Sequence, residues 1–383
     1  MESCLQKQVA FPVYREGKDE MAMEKVRIGF IGSGWRAHGY MRIIEKLHDR
    51  MEVAGVFAHS EKSALKLEKE FPGKVHQNLE QFLENDYDFV MILIPRQHVL
   101  YYLEEVLKKQ IPVLCETPPG DGMEELKKCY LLKQKYNGKI QVAEQYFLQP
   151  YHNAVIRLIQ EKRLGEVSHM DISMIHDYHA ISIMRKYLGI HFENCRISAR
   201  EYAFPVHYHC GREGLHPDKE TIITDQQKRA DFVFENGKVG FFDFSGQQYF
   251  NYFRTRHICV RGDQGEIFDE QAAWMDEDGL PVQGKIKRDE LGQYSNLEGC
   301  GLRGLSLNGT SIYKNPYVGQ DIRLNDDEIA MAGILEGMNN YVKTGNEIYS
   351  LEDALQDTYL YLMMDQSIRE KRVVETETQI WAR

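Results

Sequence analysis

Six residues near the start of the chain carry a recognisable spacing, Gly32-Ser33-Gly34-Trp35-Arg36-Ala37. They follow an apolar run, Val26–Ile31, and open a stretch with helical periodicity. In that setting the first glycine permits a tight strand-to-helix turn. The second lets backbone N–H groups approach a diphosphate at the helix N-terminus, and small Ala37 lets the helix pack on the strand. A strand before the turn and a helix after it are the context this fingerprint requires, so a dinucleotide site is expected here. A second group of reactive side chains lies at His176-Asp177-Tyr178-His179. Alcohol oxidation needs a base for the hydroxyl proton as hydride leaves, and an imidazole with an unperturbed pKa near ~6.5 suits neutral pH. His179 is the first choice for that base, with His176 and Tyr178 as relay groups and Asp177 as a helix N-cap.

The elements that position these groups are legible as a pattern. Between Lys25 and Glu144, short apolar runs (Val26–Ile31, Val53–Phe57, Phe89–Ile94, Pro112–Cys115, Ile140–Ala143) alternate with helical stretches (Trp35–Leu47, Lys62–Glu70, Gln97–Lys109, Met123–Tyr136). Runs buried on both faces and separated by helices predict a doubly wound parallel sheet, a Rossmann domain over residues 24–146. Glu116 and Gln145 then fall near the carboxyl edge of the sheet, where such folds bind ligands. His98 would cap its helix or line the same groove. At the end of the second strand stand Ala58-His59-Ser60, with no acid to bridge the ribose hydroxyls. His59 and Ser60 could hold a 2′-phosphate, or Ser60 could donate to a diol, so NAD and NADP both stay open.

The second half reads as α+β. A helix at Tyr151–Glu161 precedes a strand at Val167–Ile175 and a helix at Tyr178–Leu188, closed by Gly189. From about Cys195 to Ile267 strand and turn signals predict a large, mainly antiparallel open sheet. Within it Gln247-Gln248-Tyr249, Tyr252, Arg254 and Arg256 alternate as on a strand, and such polar and aromatic groups suit a polyhydroxylated ligand. Residues 270–325 show little periodicity and are expected to form long loops. Two helices close the chain. Asp326 or Asp327 would cap the first, Glu328–Lys343, and Ser350 with Asp353 would open the second, through Arg369. The expected organisation is an arm over 1–23, the Rossmann domain over 24–146, and a substrate-binding and oligomerisation domain over 147–383.

Bulk properties exclude several classes. The chain has 383 residues, 43% hydrophobic and 27% charged, and a formal net charge of −11. So acidic a chain is a poor ligand for phosphate backbones, and nucleic acid is not an expected partner. No apolar run approaches a bilayer span, so no membrane partner is expected either. Charges scattered through residues 1–23 interrupt any secretory leader, and these residues read as an extra arm or an upstream start. Seven cysteines, an odd number with no CxxC pair, argue against a disulfide framework and for a reducing cytoplasm. His207, His209, Cys210 and His216 match no closed zinc spacing, and no metal is expected.

The fingerprint, Ile94-Pro95-Arg96-Gln97-His98, Cys115-Glu116-Thr117-Pro118 and the segment His176–Gly189 lie in the order and spacing of the glucose–fructose oxidoreductase/inositol dehydrogenase (Gfo/Idh/MocA) family, which the chain resembles over about residues 25–370. The resemblance implies a nicotinamide cofactor contacted by Gly32 to Ala37, Ile94 and Pro95, with Glu116 and Gln145 touching the nicotinamide ribose and carboxamide. In that family the strand-five motif reads Glu-Lys-Pro, commonly with a cis peptide before the proline; here Thr117 occupies the lysine position. The family's Asp-x-x-x-His places its histidine on His179 and its aspartate on Ile175, so Asp177, Tyr178 and His176 are the residues that could replace the missing groups. The resemblance implies hydride transfer between NAD or NADP and a sugar or polyol, in a homodimer or homotetramer. Two alternatives are a redox-neutral glycosidase that oxidises, eliminates and hydrates on bound NAD, and a non-catalytic cofactor-binding protein.

Overall fold

The computed structural model describes residues 24–218, 220–292, 301–318 and 322–382. The N-terminal arm, Cys4 and Cys300 lie outside them. The first half runs β1 (Val26–Ile31), α1 (Trp35–Lys46), β2 (Met51–Phe57), α2 (Glu61–Glu70), β3 (Val75–His76), α3 (Leu79–Leu83), β4 (Phe89–Ile92), α4 (Val99–Lys108), β5 (Val113–Cys115), α5 (Met123–Tyr136) and β6 (Ile140–Val142). The strands form one parallel sheet in the order β3-β2-β1-β4-β5-β6, the order of dinucleotide-binding folds. β4, β5 and β6 are buried along their whole length, as a sheet covered on both faces requires. The short β3 and α3 escape sequence reading because neither is long enough to show a period.

The second half continues with α6 (Pro150–Gln160), β7 (Val167–Ser173), α7 (Asp177–Leu188), β8 (Cys195–His207), β9 (Cys210–Gly211), β10 (Gly214–Leu215), β11 (Ile222–Phe234), β12 (Val239–Ser245), β13 (His257–Gly262), β14 (Gly265–Phe268), β15 (Gln271–Met275), β16 (Pro281–Leu291), β17 (Gly301–Leu307), β18 (Thr310–Lys314), α8 (Asp326–Thr344), α9 (Leu351–Glu370) and β19 (Val374–Glu375). Eleven strands form one open sheet, β18-β17-β16-β15-β14-β13-β7-β12-β11-β8-β19, in which only β7 and β12 pair in parallel. The expected loops over 270–325 are therefore corrected: among the described residues of that stretch, β15 to β18 extend the sheet. The long β16, with a single buried residue, leaves no apolar alternation to read, and the other three strands are short.

Three local expectations change. Asp177 does not cap α7; His176 holds the cap position, without a side-chain bond, and Asp177 is the first helical residue at φ +43°. Neither Asp326 nor Asp327 caps α8, because Asn325 does so through a reciprocal box with Glu328. Residues 246–249 form a 3₁₀ turn and not a strand. Ser350 caps α9 by accepting from the Asp353 N–H, as the sequence predicted.

Two contacts bring the halves together. α8 returns to pack beside α1, and α9 packs against α5 and α7. Arg185, buried on α7, donates to Asp357 Oδ1 at 2.7 Å and to Asp353 Oδ1 at 2.9 Å on α9. That clasp fixes the helix whose first turn carries the two histidines.

Candidate active site

A cleft of about 910 Å³ runs from the β1–α1 turn, past the carboxyl ends of β4, β5 and β6, to the start of α7. Its floor is built by the glycines. Gly32 has φ +121°, and a Cβ there would stand 2.3 Å from the Leu93 carbonyl oxygen, so only glycine fits. Gly34 caps α1, and a Cβ there would meet nothing within 4 Å. The space is open on the cleft side, where helix N–H groups are unpaired and no acid stands in the first turn. Ala37 is fully buried under the helix, while Trp35 is 70% exposed at the cleft.

Most predicted residues reach this cleft. Ser33, Arg36, His59, Ser60, Ile94, Pro95, Glu116, Thr117, Gln145, His176, Tyr178 and His179 all line it. Ser60 also caps α2 by accepting from the Ser63 N–H. His98 does not belong: it is exposed, makes no side-chain cap bond and stands outside the cleft wall. The Thr117–Pro118 peptide is cis, and the Thr117 hydroxyl is hydrogen-bonded to Tyr178.

His179 is the best-defined group. Its Nδ1 lies 2.5 Å from Glu144 Oε2, and both side chains are almost wholly buried. Glu144 stands just past β6 and also accepts the Tyr146 N–H at 3.1 Å. With Nδ1 held, Nε2 is the ring nitrogen left for a ligand in the cleft. Burial pushes the Glu144 carboxyl up to about 8 and the His179 imidazole down to about 3. Burial thus favours the uncharged form of each partner, and the proton between them belongs to the pair. Tyr146, Tyr178 and His176 pack around the ring at centroid distances of 4.7, 4.4 and 4.9 Å.

A second chain of groups runs alongside. His176 Nδ1 lies 2.5 Å from the Tyr249 hydroxyl, which is hydrogen-bonded in turn to Tyr146. Tyr249 is delivered by the 3₁₀ turn, pinned because buried Gln248 donates to the Ser173 and Thr255 carbonyls. Of the stretch read as a strand, Tyr249 and Arg256 line the cleft. Arg254 pairs with Asp225, and Tyr252 is exposed.

Arg36 joins both halves, with its Nε 3.3 Å from Glu116 and its Nη1 3.4 Å from Asp327 of α8. Asp327 Oδ1 accepts from Gln145 and Gln149 at 3.3 and 3.4 Å. Glu116 Oε2 and Gln145 Oε1 are left buried without a protein partner, as groups are that await a ligand. Burial raises Glu116 to about 7 against the pull of Arg36. Sequence reasoning passed over Glu144, Tyr146 and Asp327. The available signal was an acid at the carboxyl end of a buried strand, next to a residue already singled out.

Residues 26–144 match the model of a family described as an oxidoreductase family with an NAD-binding Rossmann fold, Gfo/Idh/MocA. The match takes in the first sheet and its helices, and there the chain is similar to that family's NAD-binding domain. "Putative oxidoreductase YteT" of Bacillus subtilis (strain 168) is 24% identical over 156 residues, 38% of this chain. The match spans 36% of that relative's length. An oxidoreductase of Agrobacterium radiobacter, solved with NAD+, L-tartaric acid and magnesium, has a TM-score of 0.68 at 15% identity over 92% of this chain and 98% of its own. Apo scyllo-inositol dehydrogenase of Lactobacillus casei has a TM-score of 0.63 at 14% identity, with coverages of 93% and 99%. The WlbA dehydrogenase of Chromobacterium violaceum, solved with NADH and UDP-GlcNAcA, has 0.62 at 13%, with coverages of 93% and 97%. These likenesses show that the fold is shared over both sheets. No helix among the described residues is long and apolar enough to cross a membrane.

Proposed function

We propose that this chain is an NAD(P)-dependent oxidoreductase that moves a hydride between the nicotinamide and a hydroxyl-bearing carbon of a sugar or polyol. The observation that carries the reading is the buried His179–Glu144 pair at the meeting point of the glycine turn and the second sheet. The bound coenzyme supplies the hydride acceptor or donor. The open N-terminus of α1 binds its diphosphate, and the unpartnered oxygens of Glu116 and Gln145 meet its nicotinamide end. His179 takes the hydroxyl proton at Nε2, while Glu144 holds the Nδ1–H and stabilises the resulting imidazolium. Thr117 cannot supply a positive charge in place of the family lysine; its hydroxyl instead orients Tyr178 toward the substrate. A structural relative named as an inositol dehydrogenase, and another solved with UDP-GlcNAcA, support a polyhydroxylated substrate. His59 and Ser60, just past β2, leave both NAD and NADP admissible.

The His176–Tyr249–Tyr146 chain favours a second reading. Redox-neutral glycoside cleavage needs a further acid–base group beside the one that serves oxidation, and this chain supplies it. Incubation with sugars, polyols and glycosides plus excess NAD or NADP separates the two. A net absorbance change at 340 nm supports the dehydrogenase, and aglycone release without net reduction supports the redox-neutral route. Tight coenzyme binding with neither activity would leave a non-catalytic binder. Replacement of His179 by alanine is expected to abolish turnover and spare coenzyme affinity; undiminished turnover would refute its role as base.

A further inference from the structure

Arg212 sits in the short β9–β10 hairpin, carried at the far end of the long β8–β11 pair. That pair runs from Cys195↔Phe234 to His207↔Ile222, which carries the hairpin over the cleft. The guanidinium of Arg212 lies 4.8 Å from the centroid of the Trp35 ring, and Trp35 is the first residue of α1. Arg36 lies 5.8 Å from the same ring. A second cation is electrostatically out of place here. The N-terminus of α1 is the positive end of a helix dipole, and its first turn holds no acid. Arg36 is neutralised by Glu116 and Asp327, whereas Arg212 is exposed and has no ion-pair partner among the described residues.

We propose that Arg212 completes the coenzyme site from the opposite side: the diphosphate lies between the N-terminus of α1 and the Arg212 guanidinium, and the β9–β10 hairpin is a latch on coenzyme release. An anion at that point removes the charge conflict and accepts charge-assisted hydrogen bonds from both walls. The latch belongs to the second sheet, so the coenzyme is gripped by both halves of the molecule and leaves only when the hairpin lifts. Such retention suits repeated turnovers on one bound coenzyme. The inference rests on the coenzyme reading above.

The test compares full-length wild type with Arg212→Ala and Arg212→Lys. Calorimetry measures NAD+ and ADP-ribose binding, and stopped-flow fluorescence measures NADH release. Removing a charged hydrogen-bond donor from a diphosphate is expected to weaken NAD+ and ADP-ribose alike, by about 10- to 100-fold. Most of that change should appear as faster release, and lysine should recover part of it. The salt dependence of binding should fall in Arg212→Ala. Indole emission gives an independent readout, because Trp35 is exposed while Trp274 and Trp381 are buried. Coenzyme should perturb it less in the alanine variant. Arg212→Ala binding both ligands as wild type does would overturn the latch, as would weakened NAD+ with unchanged ADP-ribose. Wild type that binds neither ligand would instead overturn the coenzyme reading itself, and the latch with it.

Discussion

Replacing Glu144 by glutamine tests the proposed chemistry at its centre. The amide keeps the shape of the carboxylate and can still accept the His179 Nδ1–H, so ring orientation survives and the charge is lost. In wild type the pair holds either one proton, on Nδ1, or two, with the second on Nε2. Only the one-proton form presents Nε2 as a base. Burial lifts the Glu144 carboxyl to about 8, so alcohol oxidation should rise with pH through a midpoint near there, and carbonyl reduction should fall through the same midpoint. Without the carboxylate the imidazole stands alone, pushed down by burial and by Arg36. Its base form then exists throughout the neutral range, and the limb near 8 should vanish. The rate should still drop, because the imidazolium formed in the reaction loses its partner. A charge-assisted hydrogen bond is worth ~1.5–3 kcal/mol, which at ~1.36 kcal/mol per decade predicts a fall of about 10- to 150-fold in kcat. The assay is kcat and kcat/KM for oxidation between pH 5 and 10, with coenzyme affinity as the control. A variant that keeps the wild-type profile and rate would refute the dyad.

Three further outcomes are expected. Gly34→Ala should melt as wild type does, since its Cβ meets nothing within 4 Å, yet lose coenzyme affinity because the methyl group enters the diphosphate space. Gly32→Ala should instead cost at least ~2 kcal/mol of stability, from its positive φ and the Leu93 carbonyl; thermal melts and calorimetry on both variants decide this. Arg185→Met leaves Asp357 buried beside α7 without its charged partner, held only by the Tyr349 hydroxyl. A loss of ~3–5 kcal/mol in urea unfolding is expected, and a loss under ~1 kcal/mol would show that the clasp contributes little. Asn325→Ala removes the α8 cap and should cost ~1 kcal/mol. It should also weaken coenzyme binding, because Asp327 in that first turn holds Arg36, Gln145 and Gln149.

Arg36 shows why the helices at the end of the chain matter to a site built near its start. Its guanidinium balances Glu116, just past β5, and Asp327 from α8, and the same aspartate positions Gln145. The coenzyme wall is thus assembled from the first sheet and from a helix almost 300 residues later. The unpartnered oxygens of Glu116 and Gln145 are held in place by groups already committed to each other, so coenzyme binding need not reorganise them.

Sequence alone determined the backbone of the first half. Glycine spacing, buried apolar runs and helical periods are local signals, and the strands, helices and glycine turn they predicted are those observed, apart from the short β3 and α3. It also marked His176, Tyr178, His179, Glu116, Thr117 and Gln145 as cleft residues, because each stands at the carboxyl end of a strand or the start of a helix. Tertiary structure decided which groups meet. Glu144 reaches His179 across 35 positions, Asp327 reaches Arg36 across 291, and Arg212 crosses from the other sheet to Trp35. It also turned Gln271–Met275, Pro281–Leu291, Gly301–Leu307 and Thr310–Lys314 into sheet strands, of which the long β16 has only one buried residue and so no apolar alternation to read. The physical reason is common to all of these. Periodicity records which side of an element is buried, whereas a proton-carrying pair depends on how whole elements pack, and that is settled only when distant burial and charge are satisfied together.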